Sequence, residues 1–322
     1  MPRVRLLATG GTIASRSGPG GRTAALTAHD LLAAAAPLPP DLEVEPVDVA
    51  TMVSFALQPS DVQRLGVQVM EALDDGVDGV VVTHGTDSME ESAFLLDLLH
   101  RDPRPVVLTG AQRPADSPAP DGPANLAGAL RIAASPTARD CGVLLAFDGL
   151  AWPARGVQKV DTSASAAFAA PGRGPVLRLT DDRVLRLAVP ERPTAPLARV
   201  DVPLPRVDVV PVYLGADDTL LRAAVEAGAQ GLVVATFGAG NVPPVVTEQV
   251  ARLVADGIPV LLCSRVPAGP VEALYGGGGG ADLRTAGALF GGDLSPWQGR
   301  LLLAVALAAG GDVAQQLSDW LT

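Results

Sequence analysis

Lysine is almost missing from this chain. Of its 24 Lys+Arg residues, only Lys159 is lysine, and the rest are arginine. Arginine keeps its charge at any working pH, whereas a lysine ammonium gives up its proton where the surroundings disfavour the charge. A surface ion pair accepts either residue. A position that keeps lysine against an arginine background is therefore a candidate for a titratable amine, the alternative being a stray surface cation. Positive charge as a whole is also in deficit: the net charge is -11 and the sequence pI ≈ 4.7. Such a surface repels phosphate backbones, so no nucleic-acid partner is expected. Long apolar runs are absent. None approaches the ~18 residues of a membrane span, so no membrane partner is expected. The start, "MPRVRLLATGG", enters a short apolar run with no long h-region and cleavage site after it, so a cytoplasmic protein without a signal peptide is expected. The 2 cysteines, Cys141 and Cys263, lie in "CGVLLAF" and "IPVLLCS" and read as core thiols rather than a disulfide. The 3 histidines, His29, His84 and His100, have no ligand spacing, so no metal is expected. Aromatics make up only 3%, which leaves Leu, Val and Ala to build the core.

What the chain does have is 48% hydrophobic residues over 322 positions, enough for one large or two medium domains. Short apolar runs recur at 4–11, 79–86, 104–111, 141–148, 207–214, 231–238 and 258–265. They are continuous rather than alternating, as strands buried on both faces are. Helices are expected between them. Ser60-x-x-Gln63 and Ser88-x-x-Glu91 read as capping boxes, Leu95, Leu98 and Leu99 give Ser88–His100 an apolar face, and Ser295-Pro296-x-Gln298 opens another helix. This alternation predicts an α/β protein with a parallel sheet. Prolines 190, 193, 196, 203 and 205 mark 188–206 as a linker between a larger domain at 1–187 and a smaller one at 207–322. The glycine-dense segment 275–292 is expected to be a mobile loop.

Ligands of open parallel sheets bind beyond the carboxyl ends of the strands. Thr9-Gly10-Gly11-Thr12, Thr83-His84-Gly85-Thr86-Asp87 and Thr109-Gly110-Ala111-Gln112 occupy three such ends. "TGGTIA" lacks both the GxxxxGK[ST] pattern and GxGxxG spacing, and no basic clamp lies nearby, so no nucleotide cofactor is expected. His84 reads as a packed residue rather than a triad base. A hydroxyl paired with an amine is the better constellation. A threonine hydroxyl is a weak nucleophile until a base takes its proton, and a lysine beside it can act as that base. An adjacent carboxylate holds the amine in position. Thr86, Asp87 and Lys159 can supply these three groups.

"ATGGTIAS" at 8–15, "THGTDSMEESAFLLDL" at 83–98, "GAQRPADSPAPDGPANL" at 110–126 and "VQKVDTSASAAF" at 157–168 together resemble the bacterial L-asparaginase family, as do "GAGNVPP" at 238–244 and "SPWQGRLLLAVAL" at 295–307. The resemblance runs in order over nearly the whole chain. It implies two α/β domains, the larger flavodoxin-like, and hydrolysis of L-asparagine to aspartate and ammonia without a cofactor. It also implies a homodimer or homotetramer with sites shared between subunits. By motif, Thr12 becomes the nucleophile that forms an acyl-enzyme, and Thr86, Lys159 and Asp87 the second catalytic group. Ser54 and Asp87 are expected to hold the substrate's α-amino and α-carboxylate groups, and backbone N–H groups near Gly11, Gly85 and Ala111 to meet the oxyanion. Asn241 is expected to reach a neighbouring subunit's site.

Two departures stand out. The loop after "TGGTIA", "SRSGPGGRTAAL", lacks the tyrosine usual in the family; the chain's 2 tyrosines are Tyr213 and Tyr275. Either Tyr275 of one subunit serves another subunit's Thr12, or it only anchors its own loop. Phe55 stands where many relatives have a glutamine that touches the substrate's amino group, which opens the asparagine/glutamine preference. Two alternatives follow: a broader asparaginase/glutaminase, and a degenerate member that binds an amino acid without turnover.

Overall fold

Seven strands coincide with the continuous apolar runs, because a strand covered on both faces has no polar side to alternate with. The computed structural model describes residues 1–35, 37–49, 53–181, 183–193 and 202–321. They divide into two compact units, Met1–Arg192 and Pro193–Thr322. Within the proline-rich segment, residues 194–201 lie outside the described residues.

The first unit begins with β1 (Arg3–Ala8), a 3-10 turn over Thr12–Ala14, and a hairpin of β2 (Ser15–Gly18) and β3 (Gly21–Ala24). Helix α1 (Ala28–Ala34), strand β4 (Glu43–Asp48), a second 3-10 turn (Ser54–Ala56) and helix α2 (Pro59–Asp74) follow. Next come β5 (Gly79–Thr83), α3 (Met89–Leu99), β6 (Val106–Thr109), α4 (Gly122–Ala133) and β7 (Val143–Phe147). The unit ends with β8 (Leu150–Pro153), a two-stranded pair of β9 (Gln158–Lys159) and β10 (Phe168–Ala169), and β11 (Leu177–Leu179) with β12 (Val184–Arg186). The main sheet has the order β12-β11-β8-β7-β6-β5-β1-β4. From β4 to β7 all pairings are parallel. Numbered by their succession in the chain, these five strands run 2-1-3-4-5, the flavodoxin-like order, with its switch point between β1 and β5. The sheet is extended by three antiparallel strands that the apolar runs do not announce. They start from a tight turn in which Asp148 and Gly149 have φ of 49 and 75, the conformation that Asp-Gly hairpin turns require.

The second unit carries β13 (Val207–Pro211), α5 (Thr219–Glu226), β14 (Gly231–Thr236), α6 (Pro244–Ala255), β15 (Val260–Ser264), α7 (Gly280–Thr285), β16 (Leu289–Phe290), α8 (Pro296–Ala309) and α9 (Val313–Leu321). Its sheet, β13-β14-β15-β16, is entirely parallel. The 275–292 segment is therefore not simply a loop: it holds α7 and the edge strand β16. Leu283, fully buried, supplies the apolar anchor.

Helix starts differ from expectation in two places. Helix α2 is capped two residues earlier, by a reciprocal pair of Gln58 and Asp61, with Pro59 in its first turn. At Ser88 the side chain makes no cap; its hydroxyl donates to Ser54 O at 2.7 Å instead. Helix α3 is also buried on nearly all sides rather than one, because it packs against both α2 and β7. Ser295 does cap α8, accepting from Gln298 N at 3.3 Å.

Candidate active site

The loops after β1 and β5 meet at the switch point, and glycine is what lets them. Gly11 has φ 84, and a Cβ there would lie 2.6 Å from Gly85 N and 2.8 Å from Gly85 Cα. A Cβ on Gly85 would in turn lie 2.8 Å from Ser54 Cβ. So three backbone segments, 10–12, 54–56 and 84–87, converge, with the Ser54 side chain packed directly against Gly85. The Ser88 hydroxyl on Ser54 O holds the middle one in place. Thr12, Ser54, Thr86, Asp87 and Lys159 line one cavity of about 590 Å³ at this junction. Gly11 and Gly85 line it as well, together with Gln112, Phe55 and Arg22. Ala111 is fully buried and does not line the cavity.

Lys159 arrives from a separate hairpin. In the β9–β10 pair Lys159 faces Phe168. Phe168 is buried and its ring packs on Phe147 at the end of β7, centroid to centroid 5.2 Å at 58°. The tilted aromatic contact fixes the hairpin to the sheet and so sets where the lysine stem begins. From there Lys159 Nζ donates to Thr86 Oγ1 at 2.8 Å and to Asp87 Oδ1 at 2.9 Å. Thr86 is buried, the Lys159 side chain is 19% exposed and that of Asp87 56%. The three groups proposed from their residue types are thus in direct contact, 73 positions apart in sequence for the lysine and threonine.

Two further residues hold this group in place. Thr86 Oγ1 donates to Gln112 Oε1 at 3.3 Å, and Gln112 Nε2 donates to Asp161 O at 3.4 Å. The Gln112 backbone is itself fastened, since Asp121 accepts from the N–H groups of Gln112 (2.9 Å) and Arg113 (2.8 Å). Glu90, nearly buried in the first turn of α3, accepts a hydrogen bond from the Lys159 backbone N–H. Burial pushes the Glu90 carboxyl up to about 7, even though that hydrogen bond favours its ionised form. Gln112 stands at a strand end in the sequence, but nothing there gives it a role. Glu90 leaves no signal at all, because its partner is a backbone amide.

His84 is a packed residue, as its sequence position suggests. It is 1% exposed, and its Nδ1 lies 2.7 Å from Gly85 O. A carbonyl oxygen only accepts, so Nδ1 carries the proton. Burial holds the imidazole below the usual histidine range. The Thr12 hydroxyl makes no hydrogen bond to any described residue. Asn241 and Tyr275 belong to the second unit. There Asn241 Oδ1 accepts from Gly280 N at 3.4 Å, and the Tyr275 side chain is exposed.

In chemical terms the cavity offers a free hydroxyl at Thr12, a second hydroxyl bonded to an amine, a carboxylate paired with that amine, and backbone N–H groups at a glycine junction. These suit attack on a carbonyl carbon with proton transfer. Comparison with known proteins agrees. Residues 3–190 match the family model described as Asparaginase, N-terminal, and 206–320 the one described as Glutaminase/Asparaginase C-terminal domain. A probable L-asparaginase of Deinococcus radiodurans is 40% identical, over 96% of this chain and 94% of that protein. A glutaminase-asparaginase of Pseudomonas fluorescens is 30% identical, over 84% of this chain and 77% of its own length. Among solved structures, the probable cytoplasmic L-asparaginase of Campylobacter jejuni is similar with a TM-score of 0.87 and 30% identity, covering 99% of both chains.

Proposed function

The chain belongs to the asparaginase family and is an amidohydrolase, and from that premise we propose that it hydrolyses the side-chain amide of L-asparagine to L-aspartate and ammonia. The observation that carries the proposal is the 2.8 Å contact of Lys159 Nζ with Thr86 Oγ1 in the cavity that Thr12 also lines. In this reading Thr12 Oγ attacks the amide carbon, its proton leaves with the departing ammonia, and an acyl-threonine ester remains. Thr86 and Lys159 then take a proton from water as it attacks the ester, which returns Thr12 and releases aspartate. A contact of 2.8 Å lets a proton pass in either direction between amine and hydroxyl. Asp87 holds the amine and receives the substrate's ammonium, Ser54 lies within reach of its other end, and the N–H groups of the glycine junction face the oxyanion.

The subunit-sharing expectation stays part of the proposal: a homodimer or homotetramer in which Asn241 and Tyr275 of the partner subunit complete each site, with Tyr275 in place of the missing loop tyrosine. A cytoplasmic location is likewise proposed; among the described residues no helix is long and apolar enough to cross a membrane. A broader asparaginase/glutaminase reading is favoured by one observation, the 78% exposed Phe55 at the cavity edge, which offers no polar group to fix substrate length. The test is ammonia release from L-asparagine and L-glutamine side by side. Release from asparagine with a higher kcat/KM than from glutamine is expected. Binding of either amino acid with no release from millimolar substrate rejects the hydrolase reading in favour of a binding protein.

A further inference from the structure

The ionisable side chains of the catalytic cavity do not balance, and the excess lies in the hairpin. Three of its lining residues are charged: Asp87, Lys159 and Arg22. Asp87 and Lys159 are paired with each other at 2.9 Å. The Arg22 guanidinium makes no hydrogen bond or ion pair with any described residue. Arg22 is exposed, like the rest of β3, and of the chain's 35 Asp+Glu none among the described residues pairs with it. The position is not loose. Arg22 sits in β3 opposite Ser17 of β2. The Ser17 N–H donates to Asp116 Oδ2 at 2.8 Å, and Ala115 N–H donates to Ser15 O at 3.0 Å, so the hairpin is fastened to the 115–117 loop.

An L-α-amino acid brings one ammonium and one carboxylate. Asp87 suits the ammonium. For the carboxylate the cavity otherwise offers only neutral groups, the hydroxyls of Ser54, Thr23 and Thr162 and the Gln112 amide among them, and Phe55 beside Ser54 adds no polar group. We propose that Arg22 receives the α-carboxylate of the substrate. The inference rests on the amino-acid amide reading of the site. A guanidinium cannot lose its proton, so Arg22 does not take over a tyrosine's proton chemistry; it binds and orients, with two parallel N–H groups matched to a carboxylate. This makes the hairpin a selector for substrates with a free α-carboxylate, so peptides in which that group is amidated fit poorly.

The test compares wild type with Arg22→Ala, Arg22→Gln and Arg22→Lys on L-asparagine. About a tenfold rise in KM is expected for the Ala and Gln variants, with kcat within about twofold and a smaller rise for Lys, which keeps the charge. An unchanged KM in Arg22→Ala overturns the inference. So does a fall in kcat at constant KM, which puts Arg22 at the reacting end, and so does an equal KM rise in all three variants, which makes the effect one of shape. Calorimetric titration of L-asparagine into Thr12→Ala, with and without Arg22→Ala, reads the same contact without turnover. There a Kd raised about tenfold is expected, and an unchanged Kd overturns the inference even where wild type releases no ammonia, a result that counts against the hydrolase reading alone.

Discussion

At the scale of the residue, the question is what Lys159 does that arginine cannot. Its Nζ reaches a hydroxyl and a carboxylate at once, at 2.8 and 2.9 Å. An arginine at 159 can keep the bond to Asp87, but its guanidinium has no accessible neutral form and cannot take a proton from Thr86 or from water. Lys159→Arg is therefore expected to lower kcat by several orders of magnitude while leaving thermal stability close to wild type, since the charge and the ion pair survive. Steady-state kinetics with a thermal midpoint on the same sample checks it, and activity within tenfold of wild type sinks the titratable-amine argument. The lysine stands out from the amino-acid sequence alone because every other basic side chain around it is arginine. Gln112 and Glu90 do not, because glutamine and glutamate are ordinary residues whose roles here come from one contact each, across the cavity and to a backbone N–H.

At the scale of the element, the parallel strands can be read from the sequence because burial on both faces leaves continuous apolar runs. The edge strand β4, "EVEPVD", cannot: it is only half covered, and its alternating acids look like loop. The antiparallel extension leaves one usable sign, Asp148-Gly149, ahead of a run too short to weigh. The capping pattern at Ser88 misleads because a serine hydroxyl satisfies either a helix N–H or a nearby carbonyl, and Ser54 O offers the second. The element that matters most for the site is the least conspicuous, the β9–β10 pair. Only two residues long on each side, it depends on Phe168 for its place. Phe168→Ala removes a 2% exposed ring and its contact with Phe147. A cost of about 3–5 kcal/mol is expected from the cavity left behind, with a fall in kcat larger than that of Phe168→Leu, which refills part of the space. A kcat equal to wild type in Phe168→Ala shows that Lys159 is held by something other than this hairpin.

At the scale of the whole molecule, the same site biases how stability responds to pH. Glu90 is held near 7 against an ordinary 4.5. The folded state therefore binds more protons than the unfolded state between those values, and this group withdraws stability as pH rises through them, by about 3 kcal/mol in all. His84 and His100 act in the opposite sense. Burial lowers both from 6.5, so their contribution is intact above 6.5 and is lost as pH falls below it, where the unfolded chain takes up protons that the folded chain refuses. Between about 4.5 and 6.5 the two trends oppose, so the wild-type profile there is expected to rise less steeply with pH than the histidines alone would make it. Glu90→Gln separates them. The glutamine oxygen still accepts the Lys159 N–H, so the loop stays in place, but the cost of ionising a buried carboxyl is gone. Relative to wild type the variant is expected to gain little at about pH 4.5 and up to about 3 kcal/mol at about pH 8, with stability rising through about 4.5–6.5 as the histidine trend stands alone. Denaturant unfolding of both proteins at about pH 4.5, 6.5 and 8 measures this. A difference between them that does not grow with pH means that Glu90 is ionised in the fold at little cost, and that the Lys159 loop rests on a charge rather than on a buried, protonated acid.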